Sequence, residues 1–137
     1  MEVQPYVFFE GRCEEALEFY RRAVGAEIVM MLRVKDSPEP HQPGALPPGS
    51  ENKILHASFR VGTSTILASD GQSSGKPAFQ GFALSLTVAN EAEADRRFHA
   101  LAEGGQPLVP LGKTFFSPRF GMVNDRFGML WMVYVAQ

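Results

Sequence analysis

The sequence has 137 residues and a formal net charge of -2 at pH 7, with 45% hydrophobic and 20% charged residues. That length buries a core without covalent staples and reads as one domain over 1–137, and the near-neutral charge argues against a basic nucleic-acid surface. The single cysteine, Cys13, rules out an intrachain disulfide framework and fits a reducing cytoplasm, while no run of about 18 apolar residues reads as a membrane span or export signal. Eleven Phe against three Tyr and one Trp point to apolar lining, since base-stacking platforms would need flanking Lys and Arg.

Residues 3–9 are β-rich and aromatic and read as a first strand. After the turn Glu10-Gly11-Arg12, residues 13–24 read as a helix. Ala16, Phe19, Tyr20, Ala23 and Val24 recur at three-and-four spacing, Glu14 and Glu15 open it, Arg21 and Arg22 close it, and Gly25 ends it. Cys13 stands at the helix start, a position that lowers a thiol's pKa, but no His lies close in sequence and it reads as an ordinary thiol. Residues 26–34 read as a second strand. Residues 36–52 hold Pro38, Pro40, Pro43, Pro47 and Pro48, which cannot donate to a ladder, so this is a long loop: a solvated linker, or a lid over a pocket. In a third strand, residues 53–61, alternation puts His56, Ser58 and Arg60 on one face and Leu55, Ala57, Phe59 and Val61 on the other. Gly62-Thr63-Ser64 leads into a fourth strand at 65–69, and residues 70–77 form a polar, Gly-containing boundary.

The second half restarts the same order. Residues 81–88 read as a strand with Phe82, Leu84, Leu86 and Val88 on one side. Asn90 caps a helix with Glu93 near the capping-box position; Ala94, Phe98, Leu101 and Ala102 form its stripe, and Gly104-Gly105 stops it. Residues 107–111, a Phe115-centred stretch and residues 130–135 supply the remaining strands, with Asn124-Asp125-Arg126-Phe127-Gly128 turning the last hairpin. Both halves read strand, helix, three strands. The expectation is an α+β chain of two like modules, about 1–74 and 75–137, packed side by side.

Several pieces in that order resemble the vicinal-oxygen-chelate superfamily of glyoxalases, bleomycin-resistance proteins and extradiol dioxygenases, and within it the PhnB-like branch. They are Pro5-Tyr6-Val7-Phe8-Phe9 before Cys13-Glu14-Glu15-Ala16 and Phe19-Tyr20; Gly25-Ala26-Glu27; Ile54-Leu55-His56-Ala57; and the stretch from Phe120-Gly121-Met122-Val123 through Asp125, Phe127 and Gly128 to Trp131. The chain departs from the branch's pattern at Phe116, Ser117 and Arg126. The resemblance implies two βαβββ modules forming a U-shaped, incompletely closed sheet around a cavity, and a homodimer. In metal-dependent members four strands each give one ligand. The matching positions are Pro5, Ala68, Ala83 and Met132, or with a one-residue shift Gln4 or Tyr6, Ser69, Phe82 or Ser85, and Trp131. No choice of register yields a His and carboxylate set, so a divalent metal is disfavoured and no cofactor is predicted.

His41, His56 and His99 share no chelating spacing. His56 is the best candidate for a catalytic or binding side chain, being on a polar strand face with Ser58; satisfaction by backbone is the bland alternative. Arg119 after Pro118 is placed to anchor an anion or to be solvated, and Phe116, Phe120 and Met132 to line a ligand site, although alternation sends about half of such apolar residues into plain core. Asp70 and Asp125, at strand ends, are expected to bond their own backbone. The strand-to-helix turns Glu10-Gly11-Arg12 and Ala89-Asn90-Glu91 lack the Gly pattern of an adenosyl-type methyl donor site, so methyl transfer is not read here. The expected function is binding of a small, partly apolar organic molecule without a metal. The alternatives are a divalent-metal-dependent lyase, isomerase or dioxygenase, and a protein whose role is dimerisation itself.

Overall fold

The computed structural model describes residues 1–38 and 48–137. Within them the chain separates into two units, Met1–Pro77 and Ala78–Gln137. The centre of the expected Pro-rich loop, residues 39–47 with His41, lies outside the described residues.

The first unit runs β1 (Tyr6–Phe8), α1 (Cys13–Val24), β2 (Glu27–Arg33), β3 (Ile54–Val61) and β4 (Ser64–Ser69). Single 3-10 turns stand at Val34–Asp36 and Ser50–Asn52. The sheet order is β1-β4-β3-β2, with β1 parallel to β4 and the other pairs antiparallel. β1 is shorter than the expected 3–9. Val3 is exposed, and the carbonyl of Pro5 accepts from Leu67 N–H just before the paired segment begins.

α1 forms where the apolar spacing places it and buries Ala16, Leu17, Phe19, Tyr20 and Ala23. Tyr20 carries the packing: its ring lies 6.0 Å from that of Phe9 and 5.8 Å from that of Phe59. Full burial of such a side chain stabilises by about 1.5–3 kcal/mol, and Tyr20→Ala removes most of it. Gly25 closes the helix at φ 70°, a left-handed position that a Cβ disfavours.

The start of α1 is made from a distance. Arg12 gives no side-chain cap. Instead the buried Asp70 carboxylate accepts from Cys13 N–H at 2.7 Å and from Ile54 N–H at 2.6 Å, tying the helix start to the start of β3. This corrects the expectation that Asp70 bonds its own turn. The same carboxylate bears on Cys13, whose place at the helix start does not lower its pKa. The thiol is fully buried, and burial first, then the Asp70 and Glu14 charges, push its pKa up.

The second unit runs β5 (Leu84–Val88), α2 (Glu91–Ala102), β6 (Gln106–Gly112), β7 (Phe120–Asn124) and β8 (Leu130–Val135), in the sheet order β5-β8-β7-β6 with β5 parallel to β8. Asn90 Oδ1 accepts from Glu93 N–H at 2.8 Å, as the capping pattern requires. Ala94, Phe98 and Leu101 are buried. Gly121 lets α2 approach β7, since a Cβ there would sit 2.8 Å from the Phe98 ring. β6 tolerates Pro107 and Pro110 because it is an edge strand with register breaks at both.

The Phe115-centred stretch is not a strand. Pairing begins only at Phe120, because Thr114 Oγ1 takes the N–H groups of Phe116 and Ser117 into a local turn and Pro118 follows. The last hairpin turns on Asp125, whose buried carboxylate accepts from Phe127 N–H, Met129 N–H and, beyond the expected backbone bonds, Trp131 Nε1–H. Two open four-stranded sheets, each in βαβββ order with one helix, make this the expected α+β fold of two similar modules. Among the described residues no helix is long and apolar enough to cross a membrane.

Candidate functional site

Alternation divides each sheet into a helix-side face and an opposite face. In the first unit Val7, Ala57, Phe59, Ile66 and Ala68 are buried on the helix side. Their neighbours in sequence point the other way. Register sets Tyr6 beside Leu67, Leu67 beside Ser58, and Ser58 beside Met30; Phe8 pairs with Ser69, and His56 with Leu32. The helix-free face is thus mostly apolar, with an imidazole and the hydroxyls of Tyr6, Ser58 and Ser69 set into it.

The polar focus of that face is His56. Its Nδ1 lies 3.0 Å from the Tyr6 hydroxyl. The Tyr6 and His56 ring centroids are 5.5 Å apart, and those of Tyr6 and Phe8 are 5.0 Å apart. Phe8 is 50% exposed and Tyr6 39%. Among the described residues no partner bonds His56 Nε2. Ser58 is buried beside this strip, and Ser69 Oγ accepts from Gly71 N–H. Arg60, expected on the same strand face, is paired with Glu27 at 2.8 Å.

In the second unit the helix-free face carries Phe120 beside Tyr134, Met122 beside Met132, and Ser85 beside Met132. Phe116 packs edge-on against Phe120 with centroids 5.1 Å apart, and Phe115, 95% exposed, packs edge-on against Phe116. The base of this aromatic loop is fixed. The fully buried Ser117 hydroxyl sits 2.7 Å from the Val135 carbonyl and 2.8 Å from that of Arg119.

Of the residues singled out from the sequence, His56 and Ser58 share the helix-free face of the first unit, and Phe116, Phe120 and Met132 belong together in the second. Arg119 is not brought to them. Its side chain reaches α2, where Nε donates to Asp95 Oδ1 at 2.9 Å, so the guanidinium already has its anion. His99 is exposed on α2 with Nδ1 2.7 Å from the Asp95 carbonyl oxygen. The sequence reading weighed Tyr6 only as a shifted metal position and missed its pairing with His56. The available signal was its two-residue spacing from Phe8 on the same strand.

Among the described residues, the positions expected to bind a divalent cation bring no His and carboxylate set together. Ala68 lies on the helix side, Met132 and Ser85 face the open side, and His56 stands with hydroxyls alone. Among the described residues no three of His, Cys, Asp and Glu are grouped to hold an ion.

The chain is 40% identical to protein PA1353 of Pseudomonas aeruginosa, whose structure superposes with a TM-score of 0.84 over 100% of this chain and 98% of that one. It is 32% identical to a Bacillus cereus structure described as a putative 3-demethylubiquinone-9 3-methyltransferase, PhnB protein, with a TM-score of 0.81 over 99% of this chain and 100% of that one. A glyoxylase/bleomycin resistance protein/dioxygenase domain from Frankia, 14% identical with a TM-score of 0.66 over 99% of this chain and 95% of that one, shares the fold. A family model described as 3-demethylubiquinone-9 3-methyltransferase matches residues 1–134, and the chain belongs to that family.

Proposed function

We propose that this chain is a PhnB-like binding protein of the vicinal-oxygen-chelate superfamily, holding a small, partly apolar organic molecule on the helix-free face of its first sheet without a metal. The observation that carries the reading is the strip of Tyr6, Phe8 and His56: accessible aromatic surface around one ring nitrogen that has no partner among the described residues. Apolar surface with a few fixed polar points is what a small-molecule site requires. By itself, the second unit carries accessible apolar surface of the same kind in Phe116, Phe120 and Met132.

The reading leaves aside the methyl transfer in the family's description. An adenosyl-type donor is ordinarily held by free N–H groups at a Gly-rich strand-to-helix turn. Here the first N–H of α1 is taken by Asp70 and an early N–H of α2 by Asn90, and neither turn has the glycine pattern. A metal-dependent lyase, isomerase or dioxygenase would need several anionic or imidazole donors at one point, and the donor set described above lacks them. The protein acts as a homodimer in the cytoplasm in this reading, supported by exposed Leu108 and Val109 on the edge strand β6.

The test is a thermal-shift screen of the untagged protein against metabolites and antibiotics, with metal analysis of the same preparation. A ligand at a hundred times its Kd adds about 2.7 kcal/mol of stability. A hit whose shift disappears in His56→Phe or Phe8→Ala supports the reading. Stoichiometric tightly held metal, or hits indifferent to both changes, overturns it.

A further inference from the structure

We infer that Tyr6 fixes the His56 tautomer so that Nε2–H faces outward as a hydrogen-bond donor, and that the ligand is therefore a flat conjugated molecule carrying an acceptor oxygen. The inference rests on the binding reading above and narrows it to a ligand class.

The Tyr6 hydroxyl lies 3.0 Å from His56 Nδ1. Only one of the two groups can donate. A phenol O–H is the stronger donor, and an imidazole nitrogen the stronger acceptor, because the phenol oxygen's lone pair is drawn into its ring. The favourable arrangement has Tyr6 donating to Nδ1, which leaves the imidazole proton on Nε2. Sequence distance hides this pairing: Tyr6 and His56 lie on strands β1 and β3, which are separated by β4.

Shape comes from the same residues. Adjacent rings are tilted by 33° between Tyr6 and Phe8 and by 34° between Tyr6 and His56, so the strip is a shallow aromatic shelf. Leu67 and Met30 flank it in register with Tyr6 and Ser58. A flat π-system covers such a shelf with little loss of freedom. Once covered, Nε2–H loses its water and needs an acceptor from the ligand, because an unpaired buried donor is costly. A carbonyl, carboxylate or phenolate oxygen at the edge of the ring system meets that need; an N–H at the same edge opposes it.

The experiment uses the full chain and three matched bicyclic probes: coumarin, which only accepts, indole, which donates N–H, and naphthalene, which does neither. Side-chain nitrogen NMR on labelled protein reports the His56 tautomer directly, and chemical-shift titrations report each probe's affinity. The expected result is the Nε2–H tautomer with coumarin bound at least about tenfold more tightly than indole. In Tyr6→Phe the tautomer preference weakens and the coumarin-to-indole ratio falls to about threefold or less. His56→Gln, which restores an amide N–H, recovers part of the preference that His56→Phe abolishes. An Nδ1–H tautomer in the wild type, or indole bound as tightly as coumarin, overturns the acceptor requirement alone. If none of the probes perturbs the Tyr6, Phe8 and His56 signals, the ligand shelf fails and the inference falls with it.

Discussion

Asp125→Asn tests whether the last hairpin is held by one carboxylate. In the native turn Oδ1 accepts from Phe127 N–H at 2.8 Å and Met129 N–H at 3.0 Å, and Oδ2 accepts from Trp131 Nε1–H at 2.9 Å. Asparagine keeps the shape and one acceptor. With its carbonyl toward the two backbone donors, its NH2 meets the indole N–H; flipped, the NH2 meets both backbone donors, which is worse. The substitution therefore loses one charge-assisted bond, worth about 1.5–3 kcal/mol, and weakens two others. A total near 3 kcal/mol is expected. At about 2.1 cal/mol/K per residue, 137 residues convert that into a Tm fall of about 10 °C.

The loss has a built-in control. In a Trp131→Phe background the indole donor is gone, so Asp125→Asn should cost only about 1–1.5 kcal/mol, leaving a coupling of about 1.5–2 kcal/mol between the two sites. Thermal unfolding followed by calorimetry and near-ultraviolet circular dichroism on the four proteins measures it. Equal losses in the two backgrounds would refute the assignment of Trp131 to this carboxylate, and a loss below about 1 kcal/mol in the wild type would refute the turn's dependence on it.

Asp70→Ala should destabilise by about 2–4 kcal/mol and speed amide exchange at both Cys13 and Ile54, because it strips one acceptor from two buried donors; faster exchange at only one of them would count against the shared anchor. Gly121→Ala should cost about 1–3 kcal/mol in melting experiments, as its Cβ would meet the Phe98 ring at 2.8 Å. The Arg33 hydrogen bond and then its charge hold the Glu14 carboxyl below its ordinary 4.5, partly offset by burial. A lowered folded value contributes stability above the unfolded pKa and loses it as pH falls through the folded one. Glu14→Gln should therefore flatten the Tm profile below pH 4.5, modestly because Glu14 is 52% exposed. Cys13, buried with its pKa pushed up, should resist a thiol reagent at pH 8 in native protein and react on unfolding.

What was legible in the sequence is what local rules determine. α1 starts at Cys13 and ends at Val24 as its apolar spacing and Gly25 require, and the Asn90 cap forms as its pattern implies. Period-two alternation correctly set His56 and Ser58 on one face, because it needs only the strand's own residues. Alternation does not say which strand lies alongside, however, and the candidate site depends on that. The order β1-β4-β3 brings Tyr6 to His56 across fifty positions, and the return of the chain after β4 carries Asp70 to Cys13. The pairing of Arg119 was hidden for the same reason: its partner Asp95 is on a helix 24 positions earlier, out of reach of any local pattern. The proposed binding chemistry therefore rests on pairs that topology makes. A substitution at Tyr6 should alter what His56 can bind, although nothing near either residue in the sequence connects them.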